Sequence, residues 1–591
     1  MCGINGVWLK DKVIDRHKFD IMRDTLIHRG PDGDGTIMAE NEQLAFGHRR
    51  LAFMDLSDTG VQPMKSADSQ IIITVNGEIY NYPELKNILE KAGHKFISGS
   101  DSEVIIHGWK EWGEKLPEKL NGMFSFALWD NKQKLLFLAR DRFGIKPLYY
   151  YYNDNEFAFA SELKALVEWN INIKDIDFSS MADFFTYRYV PSPKTIYKNV
   201  YKLPPAHCAI IKNVNTISLQ EYYKLSDNIK LDKNLDIYRY VDDLLNNSVK
   251  KHMQSEVPVG AFLSGGYDSS ALVSYLFRNN ISVNTFSIGF KDWKQSEHQY
   301  AKIVAERFNM PFSCKILDGE SYGLLEKLVY HYDEPIADIS IIPTYEVSKL
   351  AAEKNKAVIS GEGADELFAG YTWHYENMNL QKQQGILNIF YAKNNRAFSL
   401  EAYSRAMAMG HLRLPELKEL FKPDLHKYLP DDSDWFYRKH FKKEFSGLNS
   451  FRYLDIKCFM GELVLTKIDR ASMANSLEVR VPFLENSLSE NLFSLNEKVL
   501  YRNGHQKYLL KKIIEPYMPE EILNRKKQGF VGPDSYYFNK NWYAGIIETS
   551  VLISDEILQE NVLDSWLKTE EYWKLWKFAI MEYWYRRWMK N

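Results

Sequence analysis

Ser264-Gly265-Gly266-Tyr267-Asp268-Ser269-Ser270 lies between the apolar run 257–263 and the helix-like stretch 271–276, a strand, tight loop, helix order. Adjacent glycines let the backbone turn sharply and approach a ligand. Serine hydroxyls and the free N–H groups of the helix start converge on one place, which attracts phosphate. Asp268 would repel a polyphosphate unless a divalent cation lay between them, so it reads as a magnesium ligand. No G-x-x-x-x-G-K-[ST] stretch occurs in the chain, which excludes the phosphate loop of the common ATPases. A lone serine-capped glycine turn would be unremarkable; its position between strand and helix points to a nucleotide.

Working outward, longer helical patterns from about residue 235 alternate with short apolar strands at 285–288 and 357–360. This predicts a parallel sheet between helices, with further helices behind it. Near the C-terminus, 574–585 is an aromatic helix whose three- and four-residue spacing fits a packed core face. Residues 1 to about 200 are strand-rich, with a hairpin expected across 124–129 and 135–139 and helices near 19–27 and 82–91. An α+β unit of antiparallel sheets follows. Proline density rises over 187–205, which reads as a linker and divides the chain into 1–205 and 206–591.

Of 591 residues 45% are apolar, and 75 basic residues against 78 acidic ones leave a net charge of −3. No cationic surplus exists for a nucleic-acid partner, and no apolar run reaches the length of a membrane span. The first residues lack the basic and apolar regions of a signal peptide, so a cytoplasmic location is expected. Cys2, Cys208, Cys314 and Cys458 have no metal-ligand spacing and are expected as thiols.

If Met1 is removed, Cys2 carries a free α-amino group beside its thiol. Reference pKa values near ~8 and ~8.5 let the amine serve, through a water, as the base for the nucleophile. Met1-Cys2-Gly3-Ile4 resembles the start of the N-terminal-nucleophile glutamine amidotransferases. Stretches 28–32, 47–51, 76–81 and 99–103 recur in the order of that class. The resemblance implies that Arg50 clamps the α-carboxylate of glutamine while Glu78 and Asp101 accept its α-ammonium. Asn76 and Gly77 would donate to the oxyanion formed when Cys2 attacks the amide, on the order of 3 kcal/mol each. Asn76 thus belongs to both the catalytic and the glutamine-binding set. Residues 140–150 also match and are assigned to packing of the sheet.

Ammonia from one site needs an electrophile in another. Ser360-Gly361-Glu362-Gly363-Ala364-Asp365 forms a second glycine-rich turn loaded with carboxylates. Asp365 would face Asp268 as the second magnesium ligand, and Glu362 would take a proton from the attacking ammonia. Residues 525–530 are basic. Lys527 is chosen by its family match, with Lys526 as the alternative, to stabilise the departing pyrophosphate.

Over essentially its whole length the chain resembles the glutamine-hydrolysing asparagine synthetase family. The implied fold is an α+β N-terminal-nucleophile sandwich followed by an α/β parallel-sheet, adenine-nucleotide-alpha-hydrolase-like domain with added C-terminal helices. ATP would be the co-substrate, with Mg2+, on Phe262, Leu263, Ser264, Gly265, Gly266, Asp268, Ser269, Ile288, Ser360 and Gly361. The implied reaction joins L-aspartate and glutamine-derived ammonia through an aspartyl-adenylate, giving asparagine, glutamate, AMP and diphosphate. Partners are small molecules, an internal tunnel carries the ammonia, and a homodimer is an expected assembly. Residues 466–470 match too and are read as lining the acceptor site, whereas 478–484 are read as structural. Two alternatives stay open: amidation of another carboxylate, such as a sugar uronate or a natural-product acid, and a non-catalytic nucleotide or glutamine sensor. Tyr267 and Ile339 depart from the family pattern at places that bear on the acceptor.

Overall fold

The computed structural model describes residues 2–590 except 230–231, 233, 320, 377–394, 408, 446, 503, 526–528 and 531. Two six-stranded antiparallel sheets form the first half. One runs in the order Val200–Lys202, Tyr149–Tyr152, Glu156–Ala160, Gly3–Leu9, Leu44–Arg50, Gly33–Ala39. The other runs Thr216–Glu221, His207–Asn213, Leu135–Arg140, Gly122–Asp130, Ile71–Ile79, Met64–Lys65. Strand Leu135–Arg140 shows how sequence dictates the layering: Leu136 and Leu138 enter the core between the sheets, with Ile4, Phe46 and Phe159. Leu135, Phe137 and Ala139 face the outer helices Tyr82–Lys91 and Glu103–Trp112, against Leu89, Val104 and Trp109. Period-two alternation of apolar residues on both faces requires cover on both faces. Helices Arg16–Asp24 and Leu163–Trp169 cover the first sheet in the same way.

The second half is built on a five-stranded parallel sheet, Phe312–Leu317, Thr285–Phe290, Val259–Phe262, Ala357–Ile359, Glu478–Arg480. Its central strand, Val259–Phe262, feeds the glycine-rich loop, as the apolar pattern predicts. The aromatic helix Tyr572–Tyr585 is buried, with Trp576 and Trp584 at 1% and 0% exposure, so its rings serve packing. Among the described residues no helix is long and apolar enough to cross a membrane.

Two expectations are corrected by packing. Segment 187–205 is not an exposed linker: Tyr189, Val190, Ile196 and Tyr197 are buried, and Tyr197 packs on Trp584. Its prolines sit in a seam between the halves, where Lys202 pairs with Glu334 at 2.6 Å. The first half also runs past residue 205, because His207–Asn213 pairs with Leu135–Arg140 and then with Thr216–Glu221.

Candidate active sites

In the first half, Cys2 is buried at the start of the strand Gly3–Leu9, and its N–H donates to Asn76 Oδ1 at 3.0 Å. Asn76 Nδ2 is buried without a partner among the described residues, a donor left over for an oxyanion. Gly77 follows at φ +153°, and a Cβ there would lie 2.0 Å from the Met123 carbonyl oxygen, so only glycine fits. Burial pushes the Cys2 thiol up from its ordinary value, so it needs a base to become a nucleophile.

Arg50 is held by backbone carbonyls, Asp55 O and Ser57 O at the end of the following loop. Glu78 and Asp101 are both buried. Asp101 accepts from Ile79 N at 2.6 Å. Burial raises both carboxyls, and neighbouring carboxylates add to it: Asp101 reaches about 6, and Glu78 rises under Glu478 and Asp101. Glu478 and Arg480 were expected to be structural. They instead reach this site from the edge strand of the second half, with Arg480 3.4 Å from Glu78 and 2.6 Å from Glu478. Three carboxylates thus face one guanidinium, a cluster that an α-ammonium would balance.

The second site is a cavity of about 530 Å³. It is lined by Phe262, Leu263, Ser264, Gly265, Gly266, Asp268, Ser269, Ser360 and Gly361 of the expected nucleotide set, together with Glu362 and Asp365. Gly265 adopts φ +75°, and a Cβ would meet Ala301 N at 2.5 Å. Ser264 Oγ accepts from Gly266 N at 3.2 Å and lies 3.2 Å from Ser269 Oγ, which pins the loop ahead of helix Tyr267–Arg278. Ile288 is buried inside its strand, and its side chain does not line the cavity; Phe286 and Ser287 do. Pairing of that strand with Val259–Phe262 ends at Phe286.

Asp268 and Asp365 come together on a cation that sequence reasoning missed. Lys507 Nζ lies 2.5 Å from Asp268 and 2.8 Å from Asp365. The two carboxylates are a hard oxygen pair suited to magnesium, and their present partner shows that both can serve one positive charge. Among the described residues no group of three or more candidate metal ligands occurs. Glu362 has one buried oxygen without a partner among the described residues, and burial raises its carboxyl. Lys527 and Lys526 lie outside the described residues. Their neighbour Arg525 pairs with Glu297, and both line the cavity.

Of the two departures, Tyr267 donates to Leu523 O at 2.7 Å, on the side of Arg525. Ile339 lines the cavity between Asp338 and Ser340. Lys467, from the stretch read as lining the acceptor, donates to Ser340 Oγ at 2.7 Å and lies 3.5 Å from Asp338.

The halves meet through buried charge. Arg29 Nε donates to the Cys2 carbonyl at 3.1 Å, and its Nη1 pairs with Asp469 at 2.8 Å and with Glu162 at 2.7 Å. Arg470 pairs with Glu162 at 2.7 Å and with Asp333 at 3.2 Å. Helix Leu465–Met473 therefore carries Lys467 in the cavity and, two residues on, the contact to the Cys2 segment.

A buried cysteine site of this geometry, joined to a phosphate-loop cavity, defines a glutamine-dependent ligase. Residues 1–223 match the family described as "Glutamine amidotransferase domain", and residues 240–586 the one described as "Asparagine synthase". The chain is 34% identical to "Asparagine synthetase (glutamine-hydrolyzing) 1" of Bacillus subtilis over 99% of its own length and 96% of that protein's. It is also 34% identical to "Putative asparagine synthetase (glutamine-hydrolyzing) 2" of Methanocaldococcus jannaschii, over 82% of this chain and all of that one. "Amidase chry2" of Gibberella zeae is 26% identical over 91% of this chain and 87% of its own. The chain belongs to the glutamine-hydrolysing asparagine synthetase family, and membership implies ATP as co-substrate.

Proposed function

We propose that the protein amidates the side-chain carboxylate of L-aspartate with ammonia released from glutamine, through an acyl-adenylate. The observation that carries this reading is one cavity whose lining holds the phosphate loop, the Asp268/Asp365 pair and Glu362 together with Lys467, Ser340 and Asp338. In the first half, Cys2 attacks the glutamine amide. Asn76 Nδ2 and the Gly77 N–H receive the oxyanion, Arg50 holds the α-carboxylate, and Glu78 and Asp101 receive the α-ammonium. We take this unit to end after the hairpin closing at Glu221 and the synthetase unit to begin with helix Ile237–His252.

In the second half, the loop residues bind the triphosphate, and Asp268 and Asp365 would hold magnesium, which when bound offsets the phosphate charge. The substrate carboxylate attacks the α-phosphorus and pyrophosphate leaves, its charge offset by Lys507 and, by the family match, by Lys527. Ammonia then adds to the acyl carbon and Glu362 takes its proton, so that the tetrahedral intermediate collapses with loss of AMP. Ile339 in the cavity wall and the similarity to a fungal protein named an amidase favour a second reading, in which another acid is the acceptor. An acceptor screen with ATP, magnesium and ammonia separates the two. Aspartate should release AMP well above background; AMP release with a uronate but not with aspartate would select the second reading.

A further inference from the structure

Arg188 is a basic side chain in the cavity with no established task. It caps helix Phe178–Tyr187 in the left-handed conformation, φ +74°, and its carbonyl accepts from Ala337 N at 2.9 Å, next to Asp338. Its side chain lines the cavity, yet among the described residues its one hydrogen bond is from Nη1 to the Met409 sulfur at 3.1 Å, a weak acceptor. Nε is buried with no partner among the described residues, and the guanidinium lies 5.8 Å from the Phe459 ring centre. An arginine whose planar fork meets only a thioether and a ring is short of an oxyanion.

Lys467 lies 3.5 Å from Asp338, and the Arg188 carbonyl meets the backbone next to Asp338, so the two cations flank one carboxylate in the cavity wall. Asp338 beside Arg188 offers the place for a positive group.

Resting on the amidation reading above, we propose that Arg188 selects the acceptor by binding a second carboxylate of the acid, with Asp338 facing an adjacent ammonium. The substrate class is then a small amino dicarboxylate and not a monocarboxylate such as a sugar uronate. Trp373 and Phe459, edge to face with ring centres 6.2 Å apart, line the cavity as well, and Phe459 is the ring beside the Arg188 guanidinium.

The test is ammonia-dependent AMP release by the full chain with L-aspartate, with β-alanine, which lacks only the α-carboxylate, and with galacturonate, comparing wild type, Arg188→Gln and Arg188→Lys. Wild type should favour aspartate over β-alanine on the order of 10²-fold in kcat/KM, the value of one charged hydrogen-bonded contact. Arg188→Gln should lose about that factor through the aspartate KM, leave β-alanine, the ATP KM and glutamine hydrolysis unchanged, and be partly restored by lysine. Equal losses for aspartate and β-alanine, or no loss, would overturn the proposal, as would a preference for galacturonate that Arg188→Gln leaves intact; AMP release by some acid in those cases keeps the amidation reading. No AMP with any acid would remove that reading and this inference with it. Glutamine hydrolysis by each variant reports whether it is folded, and if the glutamine variant is not, the lysine variant carries the comparison.

Discussion

Asp101 is a buried carboxyl raised to about 6 by desolvation, with Glu478 adding repulsion. Because its folded pKa lies above the ordinary carboxylate range, its ionised form costs stability as pH rises through that window, and an α-ammonium relieves the cost. If Asp101 receives the α-ammonium of glutamine as proposed, only its carboxylate can do so; the glutamine KM should then rise as pH falls below about 6, and Asp101→Asn should raise KM and flatten this dependence. A wild-type KM constant between pH 7 and 5 would contradict the assignment. At this scale the sequence was informative where chemistry needs a residue type at a fixed local spacing, as with Cys2, Asn76-Gly77-Glu78 and the Ser264–Ser269 loop. It was silent on Lys507 and Arg188. Lys507 sits in an ordinary helix-leading stretch, and Arg188 in proline-rich sequence that reads as a linker; only tertiary packing brings either into the cavity.

At the scale of elements, helix Leu465–Met473 faces both sites. Asp469, 3% exposed, pairs with fully buried Arg29, which also holds the Cys2 carbonyl. Burial pulls the ammonium of nearby Lys146 down, and Asp469 and Glu478 oppose this, so the contact belongs to a wider buried charge group. Removing one partner of a buried pair leaves an uncompensated charge, so Asp469→Ala should destabilise the protein by about 3–5 kcal/mol in denaturant unfolding. It should also release more glutamate than AMP per turnover; an unchanged unfolding midpoint with one-to-one stoichiometry would deny the helix its coupling role. The strand Glu478–Arg480 gives the matching lesson. Its charged residues read as structural because nothing local reveals that pairing with Ala357–Ile359 aims them at Glu78.

For the whole molecule, the strand-rich pattern foretold antiparallel sheets in the first half and a parallel sheet in the second, because each strand needs cover on the faces where its apolar residues fall. The division between the halves was less legible: the hairpin past residue 205 belongs to the first by hydrogen bonding, which composition does not record. The long-range seam of Arg29, Glu162, Asp469, Arg470 and Asp333 argues that the two chemistries are run by one folded body. The claim that unites them is that an adenylated carboxylate receives nitrogen from the amide of glutamine. It is tested by incubating the protein and its Cys2→Ala variant with ATP, magnesium, amide-15N glutamine and carboxyl-18O aspartate, followed by mass analysis of the products. The account predicts AMP carrying one 18O and 15N-amidated product with wild type, and with Cys2→Ala no 15N product until ammonia is added. ADP with 18O in inorganic phosphate, AMP free of label, or 15N transfer by the Cys2→Ala variant would contradict it.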